Sequence, residues 1–279
     1  MTSFRSLSAT LVIWLAWSGA AWTQNLDPEA SAIWQKVRAD LFSGLPIGSA
    51  DNVVVLETPK RAEDAAVVPI AIRAQFPQSK NRYVEKVWLI IDNNPSPIAA
   101  VFHFTPESGR ADIETRVRVE QYTYIRAIAL TNDGELHMAT SYVKASGGCS
   151  APSSKDAEAA RASIGKMRLR VDNALAVGRP ALAQLMISHP NDSGLAMDQL
   201  TRTYAPPHFV RNIEVRYGGM LVLSAEVDFS ISENPNFRFY FIPGSGDELE
   251  AKVVDNQDLE FTANLRLDPS RIGAVSTPR

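Results

Sequence analysis

From Val53 onward the chain is written in short runs of apolar, β-branched and aromatic residues separated by turn signals. Ile113, Thr115, Val117 and Val119 alternate with Glu114, Arg116 and Arg118, the period-two pattern of a half-buried antiparallel strand. The same reading predicts strands over 53–56, 67–74, 84–91, 98–105, 113–119, 124–131 and 136–144. Asn93-Asn94-Pro95, Ser108-Gly109 and Asn132-Asp133-Gly134 supply turns between them. A second series follows over 181–188, 210–217, 220–228, 237–242, 249–254 and 259–267. Gly218-Gly219 between two apolar runs is a two-residue hairpin signal. Many short strands with regular turns predict β-sandwiches.

Two stretches break this period. Asp27-Pro28-Glu29 is a helix start, and Ile33, Trp34, Val37 and Leu41 repeat at helical spacing before Gly44. Residues 155–166, rich in Ala, Glu, Arg and Lys, predict a second helix with Ser154 as its cap, and 171–179 reads as a connection. The expected class is therefore all-β, with two immunoglobulin-like β-sandwich domains, a short N-terminal helix and a helical linker. The expected boundaries are 27–146 for the first sandwich, 147–179 for a cysteine-bearing arm and linker, 180–268 for the second, separate sandwich, and 269–279 for a loose tail.

The N-terminus changes the picture of where the chain works. Arg5, the apolar run 7–17 and the small residues Ser18-Gly19-Ala20-Ala21 form an export-signal pattern, assigned to 1–21. That run is too short to span a bilayer, which takes roughly 20 apolar residues. No cysteine follows it to carry a lipid, so no membrane anchor is expected and the mature chain is placed in the periplasm. The formal net charge of −3 lacks the basic clustering of a nucleic-acid binder.

Candidate chemistry is sparse. His103 and His137 lie in predicted strands, His189 precedes Pro190, and His208 follows Pro206-Pro207. None stands at a short metal-ligand spacing, so no metal site is assigned, although His189 and His208 can approach each other at one end of the second sandwich. Phosphate-binding loops and the Gly-x-Ser-x-Gly elbow are absent, and no intrinsic cofactor or catalytic residue is expected. There remains Cys149, the single cysteine, within Ser146-Gly147-Gly148-Cys149-Ser150-Ala151-Pro152. One thiol in an oxidising compartment stays free, pairs with another molecule or carries an adduct. Its small, polar neighbours predict an exposed tip on a flexible arm, with Gly147 and Gly148 supplying backbone freedom. If only 146–154 move, the thiol reaches about 10–15 Å from its base.

These residues also carry a resemblance. The chain resembles the sulfur carriers SoxY and SoxZ fused in one polypeptide, in the quinoprotein dehydrogenase-associated group. On the SoxY side stand 61–70 (Arg-Ala-Glu-Asp-Ala-Ala-Val-Val-Pro-Ile), Asp92-Asn93-Asn94-Pro95-Ser96-Pro97, Glu114-Thr115-Arg116-Val117-Arg118, Asn132-Asp133-Gly134 and Gly147-Gly148-Cys149. On the SoxZ side stand Ile187-Ser188-His189-Pro190 with Gly194, Pro207-His208-Phe209-Val210, and Ser230-Ile231-Ser232-Glu233-Asn234-Pro235. The resemblance implies a carrier rather than an enzyme: Cys149 would hold a sulfur species covalently while periplasmic partner enzymes of sulfur, notably thiosulfate, oxidation act on it. It also implies association with a dehydrogenase that uses pyrroloquinoline quinone, which leaves a non-catalytic accessory role for such an enzyme as the alternative. A disulfide-linked dimer through Cys149 stays open. So does a third reading, a thiol-dependent enzyme with His103 or His137 as a distant base. One departure stands out. SoxY arms end the chain at Gly-Gly-Cys-Gly-Gly, whereas here Ser150-Ala151-Pro152 continue it, so the arm is a loop tethered at both ends.

Overall fold

The computed structural model describes residues 27–152, 157–172, 175–197, 202–267 and 272–273. The export signal assigned to 1–21 lies outside them, as does the tail apart from Ile272–Gly273. The first half holds helix α1 (Ala32–Phe42) and strands β1 (Ile47–Ser49), β2 (Val54–Glu57), β3 (Val68–Ala74), β4 (Val84–Ile91), β5 (Ile98–Phe104), β6 (Ile113–Val117), β7 (Thr123–Thr131) and β8 (Leu136–Val143). After helix α2 (Ala157–Ala162) come β9 (Met167–Val171), β10 (Leu175–Ala176), β11 (Ala181–Ile187), β12 (Val210–Tyr217), β13 (Met220–Val227), β14 (Asn236–Phe241), β15 (Glu248–Asp255), β16 (Glu260–Arg266) and β17 (Ile272–Gly273).

The fold is all-β, and its two sandwich units are joined edge to edge. A nine-stranded sheet runs β1-β8-β7-β4-β5-β13-β12-β15-β16, and a six-stranded sheet runs β2-β3-β6-β14-β11-β9. In each sheet one antiparallel ladder crosses from the first half to the second. In the larger sheet β5 pairs with β13 from Phe104↔Leu223 to Ala100↔Val227. In the smaller, β6 pairs with β14 at Ile113↔Phe239 and Glu114↔Arg238. The second unit is thus continuous with the first, where the sequence had suggested a separate body. The reason is physical: β5 and β6 would otherwise be open edges, and pairing them satisfies their backbone groups. One hydrophobic core extends through both halves, and Phe102 meets Phe237 edge to face across the join at 6.3 Å.

Strand alternation follows burial. Ile113, Thr115 and Val117 point inward along β6, as do Ala181, Ala183, Leu185 and Ile187 along β11. Strand β4 has apolar residues on both faces because both are covered: Val87, Leu89 and Ile91 join the main core, while Ile90 packs beneath α1 with Trp34 and Phe42. Gly218 and Gly219 have φ of 53° and 79°, the left-handed pair that a tight hairpin requires. At the N-terminus Asp27 caps a single 3₁₀ turn over Pro28–Ala30, and Ser31, through its Oγ, then caps α1. Helix α2 ends at Ala162 rather than 166, because the chain turns at Gly165 (φ 81°) to start β9, a strand absent from the sequence expectation; the expected start at 155 and the Ser154 cap lie outside the described residues.

Helix α1 is tied to the sheet by a buried charge. Arg126 on β7 is fully buried and donates from Nε and Nη2 to the two oxygens of Asp92, at 2.8 and 2.7 Å. Its Nη2 also donates to the Pro28 carbonyl at 2.6 Å, and its guanidinium lies 4.4 Å from the Trp34 ring. Removing one member of a buried pair leaves the other uncompensated. Asp92→Ala is therefore expected to cost about 3–5 kcal/mol in denaturant unfolding, with loss of Trp34 fluorescence anisotropy as α1 detaches.

Candidate functional site at the join

The join between the halves builds the surroundings of Cys149. Beyond β6 the chain continues through Arg118, Val119 and Glu120, and it meets second-half loops at both 189–193 and 230–232. The Arg118 amide donates to the Ser230 carbonyl at 2.7 Å, and Asn94 Nδ2 donates to both the Arg118 carbonyl (2.8 Å) and Ser230 Oγ (3.0 Å). Asn94 Oδ1 accepts from the Glu120 amide at 2.9 Å. Ser232 Oγ donates to the Ala66 carbonyl at 2.7 Å. Residues 147–150 lie on this platform.

The expected exposed arm is not what the structure shows. Cys149 is fully buried, and the segment around it is docked. The amides of Gly147 and Gly148 donate to the carbonyls of Glu120 (2.8 Å) and Val119 (3.0 Å). The Glu120 carboxylate reaches back and accepts from the Cys149 amide (2.8 Å), the Ser150 amide (3.1 Å) and Ser150 Oγ (2.7 Å). From the second half, Ser193 Oγ donates to the Cys149 carbonyl at 2.6 Å. Small polar neighbours implied exposure only as long as their partners were unknown; those partners lie 29 to 44 residues away in sequence. The glycines are corrected likewise. Gly147 needs its φ of 84° for the turn. Gly148 is required by close approach, since a Cβ there would sit 2.1 Å from the Ala65 carbonyl oxygen, which accepts from Val119.

Burial keeps the thiol uncharged. Desolvation, reinforced by the Glu120 carboxylate, pushes Cys149 up to about 12, against the lowering influence of Arg118. A docked Cys149 is therefore no activated nucleophile. Nor does either histidine suggested as its base lie close. His103 is level with Lys86 on β4, Lys86 with Leu130 on β7, and Leu130 beside the Ala129↔His137 pair, so both histidines occupy one row of the large sheet. Cys149 lies beyond the far end of β8, whose run from His137 to Val143 spans about 20 Å at the usual rise per residue.

Arg118 was quoted from the sequence only as part of a motif, and the structure makes it the unusual group of the site. It is 1% exposed. Nη1 donates to the Gly148 carbonyl at 3.2 Å, and Nη2 reaches the Pro190 and Asn191 carbonyls at 3.5 Å. Its Nε has no partner among the described residues, and no carboxylate there lies within ion-pair distance of the guanidinium. A buried arginine whose hydrogen bonds all go to neutral carbonyls, with Glu233, Asp192 and Asp64 acting only from a distance, gave no signal in the sequence, because an alternating Arg on a strand is ordinarily solvated.

The two proline-flanked histidines do come together. The His189 and His208 rings lie 4.6 Å apart, and His208 Nε2 stands 2.8 Å from Asp255 Oδ2. Ligand-capable atoms of His189, His208 and Asp255 fall within 4.8 Å of one another. The tautomer argues against a metal. His189 Nδ1 accepts from the Asn191 amide at 3.1 Å, so the ring proton is on Nε2, the atom that would have to ligate. Metal-bound histidines instead donate from their second nitrogen. The cluster holds the 189–191 turn, where Asn191 Nδ2 donates to the Ile231 carbonyl and Asn191 Oδ1 accepts from the Val210 amide.

The family comparisons agree with this division of the chain. Residues 38–149 match the model of sulfur oxidation protein SoxY, and residues 168–266 match that of sulphur oxidation protein SoxZ. No curated protein matched. Among solved structures, the sulfur carrier protein SoxY from Chlorobium limicola f thiosulfatophilum is 21% identical over 40% of this chain and 90% of its own, with a TM-score of 0.32. A superoxide reductase (neelaredoxin) from Ignicoccus hospitalis is 14% identical over 33% of this chain and 79% of its own, with a TM-score of 0.30.

Two predictions follow from the geometry of the seat. Glu120→Ala removes three acceptor contacts from residues 149–150 and should speed alkylation of Cys149 in the folded protein by on the order of tenfold or more; an unchanged rate would show that Glu120 does not hold the segment. The second concerns pH. Burial, with His208 alongside, lowers His189 to about 4, so between 6.5 and 4 the unfolded chain binds a proton that the folded one refuses, and stability falls as pH falls. Burial raises Asp228 to about 6, so between 3.8 and 6 the folded chain holds the extra proton and stability falls as pH rises. The two effects oppose each other from pH 4 to 6. In urea titrations Asp228→Asn should steepen the rise of stability with pH, and His189→Gln should flatten or reverse it.

The two matched models cover both halves of the chain in order, and the protein belongs to the SoxYZ-like sulfur carrier proteins, with its SoxY and SoxZ domains fused in one polypeptide.

Proposed function

We propose that this protein is a periplasmic carrier that holds a sulfur-containing intermediate covalently on Cys149 for partner enzymes of sulfur oxidation, and that the docked segment is its closed state. One observation supports this most: the only cysteine of the chain closes the SoxY-matched region and is seated in the join with the SoxZ-matched half by a handful of polar contacts. Such contacts exchange for water when the segment lifts, so opening leaves the sheets and the core undisturbed. The closed state protects the thiol from adventitious oxidation, and the open state presents it with an ordinary thiol pKa. The leader pattern at 1–21 and the typical compartment of Sox carriers favour the periplasm. Among the described residues no helix is long and apolar enough to cross a membrane.

Tetrathionate gives a direct test. In the open state the Cys149 thiolate attacks a central sulfur, the central S–S bond breaks, thiosulfate leaves with the electron pair, and a thiosulfonate remains on the sulfur; the thiol proton goes to solvent. Intact-mass measurement should find one thiosulfonate on the folded wild type and none on Cys149→Ser. Modification of the wild type only after denaturation would overturn the proposal, because a carrier must open while folded.

A further inference from the structure

Arg118 is a buried cation with no carboxylate in direct contact; Glu233, Asp192 and Asp64 act on it only from beyond ion-pair distance. Its side chain is withdrawn from water, its contacts are carbonyl oxygens at 3.2–3.5 Å, and its Nε is unpartnered among the described residues. Burying a guanidinium in this way is costly without a compensating negative charge. The guanidinium lies against the very segment that bears the thiol, through the Gly148 carbonyl, and it also spans to the second half through Pro190 and Asn191. The docked state therefore leaves the guanidinium without a directly bound anion.

We propose that Arg118 is the counter-ion for the cargo, and that the closed seat is built to retain an anionic sulfur adduct on Cys149, of the thiosulfonate or persulfide-anion class, in preference to a neutral one. This deepens the carrier reading and rests on it. The negative charge of the adduct is matched by the Arg118 guanidinium, whose Nε has donor capacity to spare among the described residues. A planar, permanently charged donor suits an oxyanion better than an ammonium does. Glu120 holds the backbone of the segment from the other side, so the two charges divide the work: the carboxylate seats the main chain, and the guanidinium meets the cargo.

The test compares two adducts of similar size on the full chain. Tetrathionate gives the charged thiosulfonate as above. Propyl methanethiosulfonate gives a neutral propyl disulfide, as the thiolate displaces methanesulfinate. On the wild type the charged adduct should raise the thermal midpoint relative to the neutral one. Measured against the same adduct on the urea-unfolded chain, it should also be the more strongly protected from glutathione, whose thiolate attacks Sγ and expels thiosulfate to leave a mixed disulfide. In Arg118→Gln the charged adduct should lose that protection and react about tenfold faster, the loss of a charged contact, while Arg118→Lys retains part of it. Equal protection of both adducts on the wild type, or equal reactivity of the thiosulfonate on wild type and Arg118→Gln, would overturn the role of Arg118. The comparison on wild type decides the matter even if Arg118→Gln does not fold. Failure of tetrathionate to modify any folded form would instead remove the carrier reading itself, so the two failures are distinguishable.

Discussion

Two ladders, β5 with β13 and β6 with β14, fix everything else about this molecule. Each closes a sheet edge of the first half with a strand of the second, so neither half exposes the backbone of β5 or β6. The same pairing sets the register of the loops at one end of the join. It brings Ser230 onto the Arg118 amide, and the loop that supplies Ser193 onto the Cys149 carbonyl. The seat of the cysteine is therefore a product of inter-domain pairing rather than of either sandwich alone. Fusion strengthens this logic, because a tethered partner meets its edge at an effective concentration that no dilution removes.

Charge then decides what the seat can contain. The thiol sits between a carboxylate that raises its pKa and a guanidinium that lowers it, and desolvation outweighs both. The result is an unreactive thiol while docked. For a carrier this is useful, since the same sulfur must stay inert between encounters and react within them. Reactivity becomes a question of geometry, because undocking restores the hydration that ionisation needs.

Much of the fold was legible because it rests on local pattern. Strand β4 at 84–91 and β12 at 210–217 have the ends that their apolar runs announce, and the Gly218-Gly219 turn follows from the need for two left-handed residues. Short elements defined by pairing were not legible: β1 and β9 exist because β8 and β11 offer them edges. The site was half visible. Cys149 stood out by its solitude, and the sequence left open the approach of His189 to His208 that the structure shows. The burial of Cys149 was not visible, since Glu120, Ser193 and Arg118 reach it only after the halves have paired. Gly148 shows the same limit: in sequence it suggests freedom, and in the fold it is the only residue small enough to pass the Ala65 carbonyl.

A loop held at both ends must open differently from a free tail. On its near side the segment is anchored by β8, and the chain beyond it has to reach β9 in the same sheet that contains β6 and β14. Lifting Cys149 must break the Glu120 and Ser193 contacts, which fall on residues 149 and 150. Those contacts belong to opposite halves, so the seat exists only while the two are paired. The two halves thus form more than a scaffold and its buttress: each supplies one of the contacts that seat the cysteine.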